Sequence, residues 1–233
     1  MKSSVVRVAL CFLFLFSTSI VLSQKGSKEL KDLYNFDYIY KLKITNKKDE
    51  IQMDYYLKKD AGYFGFDISE MTKGQKDMKM FTVIDYDNST TGMFMEMMGK
   101  KMVQKSKIKL SDFDLDENDP DFTITKIGSK TILGFNCQGF VMENKDSEVT
   151  VYLTDEAPVS FNKVWDNSRS EMPKGFNPAW METYAENGLM MEMQFIDKKK
   201  KKNNTTMLCV GLEKTDFSLQ ASDYGSMLGA LGK

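Results

Sequence analysis

Apolar and polar residues alternate along the chain from residue 36 to residue 57. The apolar positions are Phe36, Tyr38, Tyr40, Leu42 and Ile44, followed after a polar turn by Ile51, Met53, Tyr55 and Leu57. A period of two places such side chains on one face of a half-buried strand. Because the turn between the two runs is short, we predict an antiparallel hairpin.

A second hairpin is predicted at the centre of the chain. Alternation favours one strand over Gly134–Glu143 and another over Ser147–Leu153, separated by a polar turn at residues 144–146. Further strand candidates cover residues 61–68, 81–86, 122–127, 131–133, 189–196 and 205–214. We therefore expect a single, mainly β domain, a curved antiparallel sheet or half-barrel of about eight to ten strands with one or two short helices.

The remaining segments carry few strand signals. Asn177 and Pro178 suit a helix start, since Asn caps free amides and Pro fits the first turn. With Gly188 as a stop signal, they predict a short helix over residues 178–187. Residues 24–35 are expected to form a polar entry, residues 155–175 a surface loop, and residues 218–233 a tail that forms a brief helix or frays.

The first 23 residues have the features of an export signal. Lys2 and Arg7 supply positive charge, and an apolar run follows at residues 8–21. This run of 14 residues is shorter than the roughly 20 that a transmembrane helix needs. We predict cleavage between Ser23 and Gln24, with an uncleaved anchor as the alternative. Residues 24–233 then form one exported β domain with its core at about residues 36–215.

Charge and hydropathy limit the partners of the mature chain. Loss of Lys2 and Arg7 leaves 30 basic against 33 acidic residues, a net charge of −3. A chain without a basic excess is a poor candidate for nucleic-acid binding. Because no second apolar run reaches membrane length, we expect no membrane span after cleavage.

The chain contains no histidine. This excludes Ser-His-Asp and Cys-His catalysis and histidine-containing zinc sites. It also removes the commonest general base near neutral pH. Carboxylate-pair hydrolysis stays open on composition, but no Asp or Glu pair stands out. We therefore expect no enzymatic activity, no cofactor and no dedicated metal site.

Two cysteines, Cys137 and Cys209, remain after signal removal. In an oxidising compartment a disulfide between them is the economical interpretation. Each lies two residues before a glycine, Gly139 or Gly211, whose lack of a side chain leaves room beside a strand. The alternative is two separate buried thiols that pack as small apolar side chains.

Methionine is abundant, with 18 in the chain. The densest groups are Met93, Met95, Met97, Met98 and Met102, and Met190, Met191 and Met193. Thioethers favour Cu(I), so copper binding is one hypothesis. We favour packing inside a curved sheet, or a face that accepts apolar ligands.

Two charged runs are interpreted as solvated connections. The acidic run at residues 112–121 resembles the start of a calcium loop, but it lacks the glycine and the terminal glutamate that such loops use. The lysine run Lys198–Lys202 falls between two predicted strands. A turn kept in water accounts for it, and contact with anionic lipid head groups is the alternative.

The central hairpin also resembles a known family. The residues that carry the resemblance are Gly134, Phe135 and Cys137 on its first strand, and Val149, Val151, Thr154 and Asp155 on its second. They are similar to those of uncharacterised exported proteins from Bacteroidota, a domain of unknown function, and residues 81–95 resemble the strand and turn that precede the hairpin there. The resemblance implies a protein of the Gram-negative periplasm or outer membrane, or a secreted one.

More distantly, the chain is similar to the LolA/LolB type of lipoprotein carrier. That fold is a curved antiparallel sheet whose concave face shelters acyl chains. The resemblance implies that Met and aromatic side chains of one parity line such a face, as in a binding or carrier module for a lipid or lipoprotein. A structural or interaction protein of the cell envelope, without a small ligand, is the alternative.

The predicted cleavage is tested by replacing Val21 with arginine. A large charged side chain three positions before the cut should block processing, because the peptidase accepts small residues there. N-terminal sequencing of the exported protein should give Gln24 for the parent chain and an intact leader for the variant. Val21→Ala should be processed normally, and a parent chain that keeps its leader would contradict the prediction.

Overall fold

The computed structural model describes residues 29–47, 49–68, 78–108, 123–160 and 188–227. The strands are β1 (Leu33–Asn35), β2 (Tyr38–Asn46), β3 (Glu50–Leu57), β4 (Tyr63–Asp67), β5 (Met78–Asp85), β6 (Thr90–Met97), β7 (Lys100–Lys107), β8 (Thr123–Ile132), β9 (Phe135–Glu143), β10 (Ser147–Thr154), β11 (Leu189–Asp197), β12 (Thr205–Lys214), β13 (Ser218–Gln220) and β14 (Gly225–Ser226). Short 3-10 turns occupy Lys201–Asn203 and Ala221–Asp223. The leader, the acidic run at 112–121 and the helix predicted over 178–187 lie outside the described residues.

Twelve of these strands form one sheet, in the order β14-β7-β6-β5-β4-β3-β2-β12-β11-β10-β9-β8. Neighbours are antiparallel except β14, which runs parallel to β7. β1 and β13 pair separately as a two-stranded antiparallel ribbon. The predicted mainly β, curved open sheet is confirmed, and its strands outnumber the predicted eight to ten.

Both hairpins predicted from alternation are present. In the first, Tyr40 lies opposite Tyr55 and Leu42 opposite Met53, as a shared face requires. In the second, β9 and β10 pair with Val149 opposite Met142. The predicted pair at residues 189–196 and 205–214 corresponds to β11 and β12.

The largest core, here called the central cluster, spans much of the sheet. Its buried members are Tyr40, Leu42, Met53, Leu57, Phe64, Phe66, Ile68, Tyr86, Cys137, Val159, Leu189, Met191 and Cys209. Tyr40 on β2 and Cys137 on β9 are four strand positions apart, which in a flat sheet is roughly 19 Å at about 4.8 Å per strand. The cluster also includes Cys209 on β12 and Met191 on β11, so it extends across the strands that separate β2 from β9. The Tyr40 hydroxyl donates a hydrogen bond to the Met190 carbonyl oxygen at 2.7 Å, across the intervening β12.

A second core, the strap cluster, lies on the opposite face of β4–β7. Its buried members are Leu30, Tyr34, Phe36, Tyr63, Val83, Phe94, Val103, Leu219 and Ala221. Val83 belongs to it, whereas the next residue, Ile84, packs on the central cluster, as expected where successive strand residues face opposite sides. The ribbon of β1 and β13 covers this face.

Three sequence predictions are wrong at this ribbon. Phe36 does not share a face with Tyr40, because the chain turns before β2 begins. The Phe36 amide donates to the Phe217 carbonyl oxygen at 3.0 Å, and the Asp37 amide to that of Leu57 at 2.8 Å, so Phe36 packs in the strap cluster. The polar entry at residues 24–35 contains β1. The tail at 218–233 contains β13 and β14 before Met227, which is helical, where the brief helix was predicted.

A buried carboxylate fastens the ribbon to the sheet. Asp85, at the end of β5, is fully buried, and one of its oxygens accepts a hydrogen bond from the Tyr34 hydroxyl at 2.9 Å. Asn88 donates to Asp85 through its backbone amide at 3.0 Å and its side-chain amide at 2.9 Å. Burial and the Asp85 charge raise the pKa of the Tyr34 hydroxyl well above its usual value, so it remains a hydrogen-bond donor throughout the working pH range.

The two ends of the sheet differ from its middle. β8 alternates little in burial, carries the exposed Lys126, and shifts register against β9 between Ile127 and Lys130. At the other end, β14 has only two residues. In the described part of the chain, no helix has the length and apolar character needed to cross a membrane.

Tyr34→Phe is expected to lower the free energy of unfolding by about 1.5–3 kcal/mol, because it removes a hydrogen bond to a buried carboxylate. Denaturant unfolding followed by far-UV circular dichroism measures the change. Tyr38→Phe is the matched control, since the Tyr38 ring is only half-buried, and it should be near neutral. Equal stability of the Tyr34→Phe variant and the parent chain would contradict the role given to this bond.

Candidate functional site

A groove of about 330 Å³ lies on the strap-cluster face of the sheet. One wall is the sheet surface of β5 and β6. The other is the segment from Phe217 to Tyr224, which includes β13 and the 3-10 turn Ala221–Asp223. The ribbon that closes one core therefore also forms the side of an open recess.

The floor of the groove is aromatic. The Phe81 ring lies 5.1 Å from Tyr56 and 5.2 Å from Phe217, and Tyr56 and Phe217 are 5.0 Å apart, centroid to centroid. These spacings are in the range of favourable ring packing. The three rings come from β3, β5 and the segment before β13, so residues distant in sequence build one apolar surface.

Gly65 on β4 allows this floor to form. A methyl group built on Gly65 would lie 2.5 Å from ring atoms of Phe81 and 3.2 Å from Phe36. Real side chains do not approach that closely. Any larger residue at position 65 would therefore force the Phe81 ring away from β4. The missing side chain is the reason that Phe81 lies across β4.

Tyr224 closes the end of the groove near β6. Its ring meets Phe94 edge to face at 5.0 Å, and its hydroxyl donates to the Glu96 carboxylate at 2.8 Å. Burial, then the Glu96 interaction, raises the pKa of Tyr224. The Lys101 ammonium lies 5.3 Å from the ring centroid and 3.4 Å from a carboxylate oxygen of Asp223.

The groove therefore combines an apolar floor with a charged mouth. The mouth carries Asp67, Lys79, Glu96, Lys101 and Asp223. Ligand sites of this kind have volumes from about 300 Å³ upward, with apolar walls and a few polar groups that fix orientation. The arrangement suits a ligand with an apolar body and a polar head. Within the described ranges, no three His, Cys, Asp or Glu side chains group as metal ligands.

Cys137 and Cys209 lie in the central cluster, away from the groove. Both are buried free thiols in this structure, donating to the carbonyl oxygens of Phe135 and Gly211, each at 3.4 Å. Burial raises the pKa of both thiols, that of Cys209 to about 11, and Cys137 adds to the latter shift. The sheet brings the two residues into one cluster, and the disulfide stays a prediction.

The methionine groups separate into packed and exposed members. Met80 lies opposite Met95, and Met95 opposite Met102, in a row across β5, β6 and β7. Met95 and Met102 are buried, whereas Met97 and Met98 are exposed. Core packing accounts for the buried members, and copper binding stays an untested hypothesis.

The groove residues were missed by sequence inference. The alternating face of β2, with Tyr38, Tyr40 and Leu42, packs into the central cluster and does not line the groove. The only sequence signal of β13 is the alternation of apolar Phe217 and Leu219 with polar Ser218. Three residues are too few to predict a strand. The predicted cleavage residues Ser23 and Gln24 lie outside the described part of the chain.

The chain belongs to the family described as "Domain of unknown function (DUF4412)", whose model matches residues 36–224. This confirms the resemblance of the central hairpin to a domain of unknown function. A search of curated proteins finds no match to this chain.

Several solved structures are similar to the chain at low identity. PNGF-II is 11% identical, with a TM-score of 0.41 over 82% of this chain and 30% of its own. MucB in the Pseudomonas aeruginosa MucA/MucB complex is 6% identical, with a TM-score of 0.36 over 81% of this chain and 55% of its own. A LolA superfamily protein from Nitrosomonas europaea is 9% identical, with a TM-score of 0.30, and the match covers 78% of this chain and 87% of that one. The chain spans 30% of PNGF-II and about half of MucB.

The state of the two cysteines is tested by alkylation under two conditions. Unfolding in denaturant without reductant should leave the mass unchanged if Cys137 and Cys209 are bonded, because no thiolate is available. Reduction before alkylation should then add two adducts. Two adducts after unfolding alone would establish free thiols and contradict the bond. Cys209→Ser provides the control, since its remaining thiol must react in either case.

Proposed function

We propose that this protein is an exported binding or carrier module for an apolar ligand with a polar head group, such as a lipid or the acyl chains of a lipoprotein. The aromatic groove is the candidate ligand site. The chain acts by holding and releasing the ligand, not by catalysis. It works in the periplasm, at the outer membrane, or outside the cell.

The observation that carries this proposal is the chemistry of the groove. Phe81, Phe217 and Tyr56 pack into one apolar floor. The charged side chains that line the groove are exposed, except for the half-buried Glu96. An apolar chain lying on these rings would lose contact with water, which favours binding by about 25 cal/mol per Å² of apolar surface buried. The polar end of the same ligand would remain near Lys79 and Lys101.

Export and the absence of catalysis are supported by the sequence. The charged start, apolar run and small residues before Gln24 favour removal of a leader. The lack of histidine removes the usual general base. A structural or interaction protein of the envelope is the alternative function, and it predicts a groove that no small apolar molecule enters.

Ligand binding is tested with a fluorescent fatty acid. We expect saturable uptake by the parent chain and about tenfold weaker binding by Tyr224→Ala, because the substitution opens the end of the groove; a tenfold change corresponds to about 1.4 kcal/mol. Tyr152→Ala is the matched control, since the half-buried Tyr152 lies on β10, far from the groove in the strand order. Thermal unfolding of both variants shows whether they remain folded.

Native mass spectrometry of protein purified from the envelope gives a second measurement. Co-purified mass that disappears in Tyr224→Ala but persists in Tyr152→Ala would place the ligand in the groove. A ligand-free mass, together with no fatty-acid uptake, would overturn the proposal and favour the interaction protein.

A further inference from the structure

The turns of the large sheet lie at two opposite ends of its strands. Because neighbours are antiparallel, consecutive hairpin turns alternate between the ends. The pairings of Asn46 with Thr205, Ser147 with Asp197, and Glu143 with Glu148 place the β2–β3, β9–β10 and β11–β12 turns at the same end. The β6–β7 turn joins them, since Met97 lies opposite Met78 at the start of β5. We call this end the first rim.

The first rim is basic. Its turns, residues 46–49, 98–99, 144–146 and 198–204, carry Lys47, Lys145 and Lys198–Lys202. The acids in the described residues of these turns are Asp49 and Asp146 alone. Lysines that are scattered in sequence are therefore gathered on one side of the molecule by the topology.

The second rim has the opposite character. The connections at residues 58–62, 86–89, 155–160 and 215–217 contain the acids Asp60, Asp87, Asp155, Glu156 and Asp216, with Lys58 and Lys59 as their lysines. Lys107 and Lys214 lie at the adjoining strand ends. Asp37, before β2, lies at the same end and pairs with Lys58 at 2.8 Å. Among the described turns, basic residues therefore predominate at the first rim and acidic residues at the second.

Within the described residues, two lysines of the run Lys198–Lys202 form ion pairs and three do not. Lys198 pairs with Glu143 at 2.5 Å, and Lys199 with Asp146 at 2.6 Å. In the described part of the chain, Lys200, Lys201 and Lys202 are exposed and form no ion pair.

Asp197 holds this turn in place. One carboxylate oxygen accepts the backbone amides of Lys199 at 2.9 Å and Lys200 at 2.7 Å. The other accepts the Asn203 side chain at 2.6 Å. These hydrogen bonds, that of Asn203 foremost, lower the pKa of Asp197. A fixed turn presents the three lysines at lower entropic cost than a mobile one.

The β6–β7 turn at the first rim carries exposed apolar side chains. Met98 is 87% exposed and has φ of 53°, in the left-handed region that is unfavourable for a residue other than glycine. Met97 beside it is 39% exposed, and Lys100 follows. A strained, solvent-facing thioether next to lysines is unfavourable in water and favourable at a lipid boundary, where it can enter the apolar layer.

We propose that the first rim docks this protein on an anionic lipid surface, with Lys200, Lys201 and Lys202 at the head groups and Met98 at the acyl boundary. The acidic second rim would be repelled, so the strands would stand upright on the membrane. A lipid surface is favoured over nucleic acid because the net charge is negative and because an exposed Met tip has no role against phosphates in water. The inference is independent of ligand binding in the groove.

The test is co-sedimentation of the full mature chain with vesicles of phosphatidylcholine alone or mixed with phosphatidylglycerol. We expect binding to the mixed vesicles only, weakened by added salt. The triple variant Lys200→Glu, Lys201→Glu, Lys202→Glu should bind at least about a hundredfold more weakly, since each lysine near such a surface contributes about fivefold. Met98→Asn, which tolerates the same backbone conformation, should weaken binding and leave thermal unfolding unchanged.

The matched control reverses three exposed lysines at the second rim, Lys59→Glu, Lys107→Glu and Lys214→Glu. These changes give the same net charge, so loss of binding in both triple variants would show only a general charge effect and overturn the proposal. Equal binding to neutral and anionic vesicles, or no binding to either, would also overturn it. Capture by duplex DNA without vesicle binding would assign the rim to a different partner.

Discussion

Burial of the Asp85 carboxylate sets the condition on which the rest of this architecture depends. A carboxylate without water is costly unless hydrogen bonds replace its hydration, and Tyr34 and Asn88 supply them. Tyr34 lies on β1, and β1 holds β13 by antiparallel pairing. β13 in turn forms the wall of the aromatic groove. One buried acid at the end of β5 therefore determines where the recess lies, although no atom of Asp85 lines it.

The regular part of the fold was predictable because its information is local. The alternation at Tyr38–Ile44 and at Val149–Leu153 extends over several residues, and each hairpin closes through a short turn, so pattern and connection agree. β1 and β13 have three residues each, too few for a period to be recognised. β1 and β13 also pair although they are far apart in sequence, with Asn35 opposite Ser218. A pattern of neighbouring residues cannot indicate such a long-range contact.

The site was harder to predict than the fold for the same reason. Alternation correctly identified Tyr40 and Leu42 as inward-facing, and both side chains are buried in the central cluster, so they do not line the groove. The groove instead uses Phe81, Phe217 and Tyr224, whose proximity follows from Gly65 and from the ribbon. The lysine run was visible in the sequence, whereas its alignment with Lys47 and Lys145 on one rim required the strand order.

The bulge in β8 and the shortness of β14 bear on how the protein behaves at high concentration. An open sheet offers its outermost backbone amides and carbonyls to any chain that can add a strand, which is a common start of aggregation. Here one border is irregular and carries Lys126, and the other has two residues only. Neither border is a regular template for another strand, because β8 is broken by its register shift and β14 is too short. A sheet of this width can therefore remain open for ligands and surfaces without inviting copies of itself to extend it.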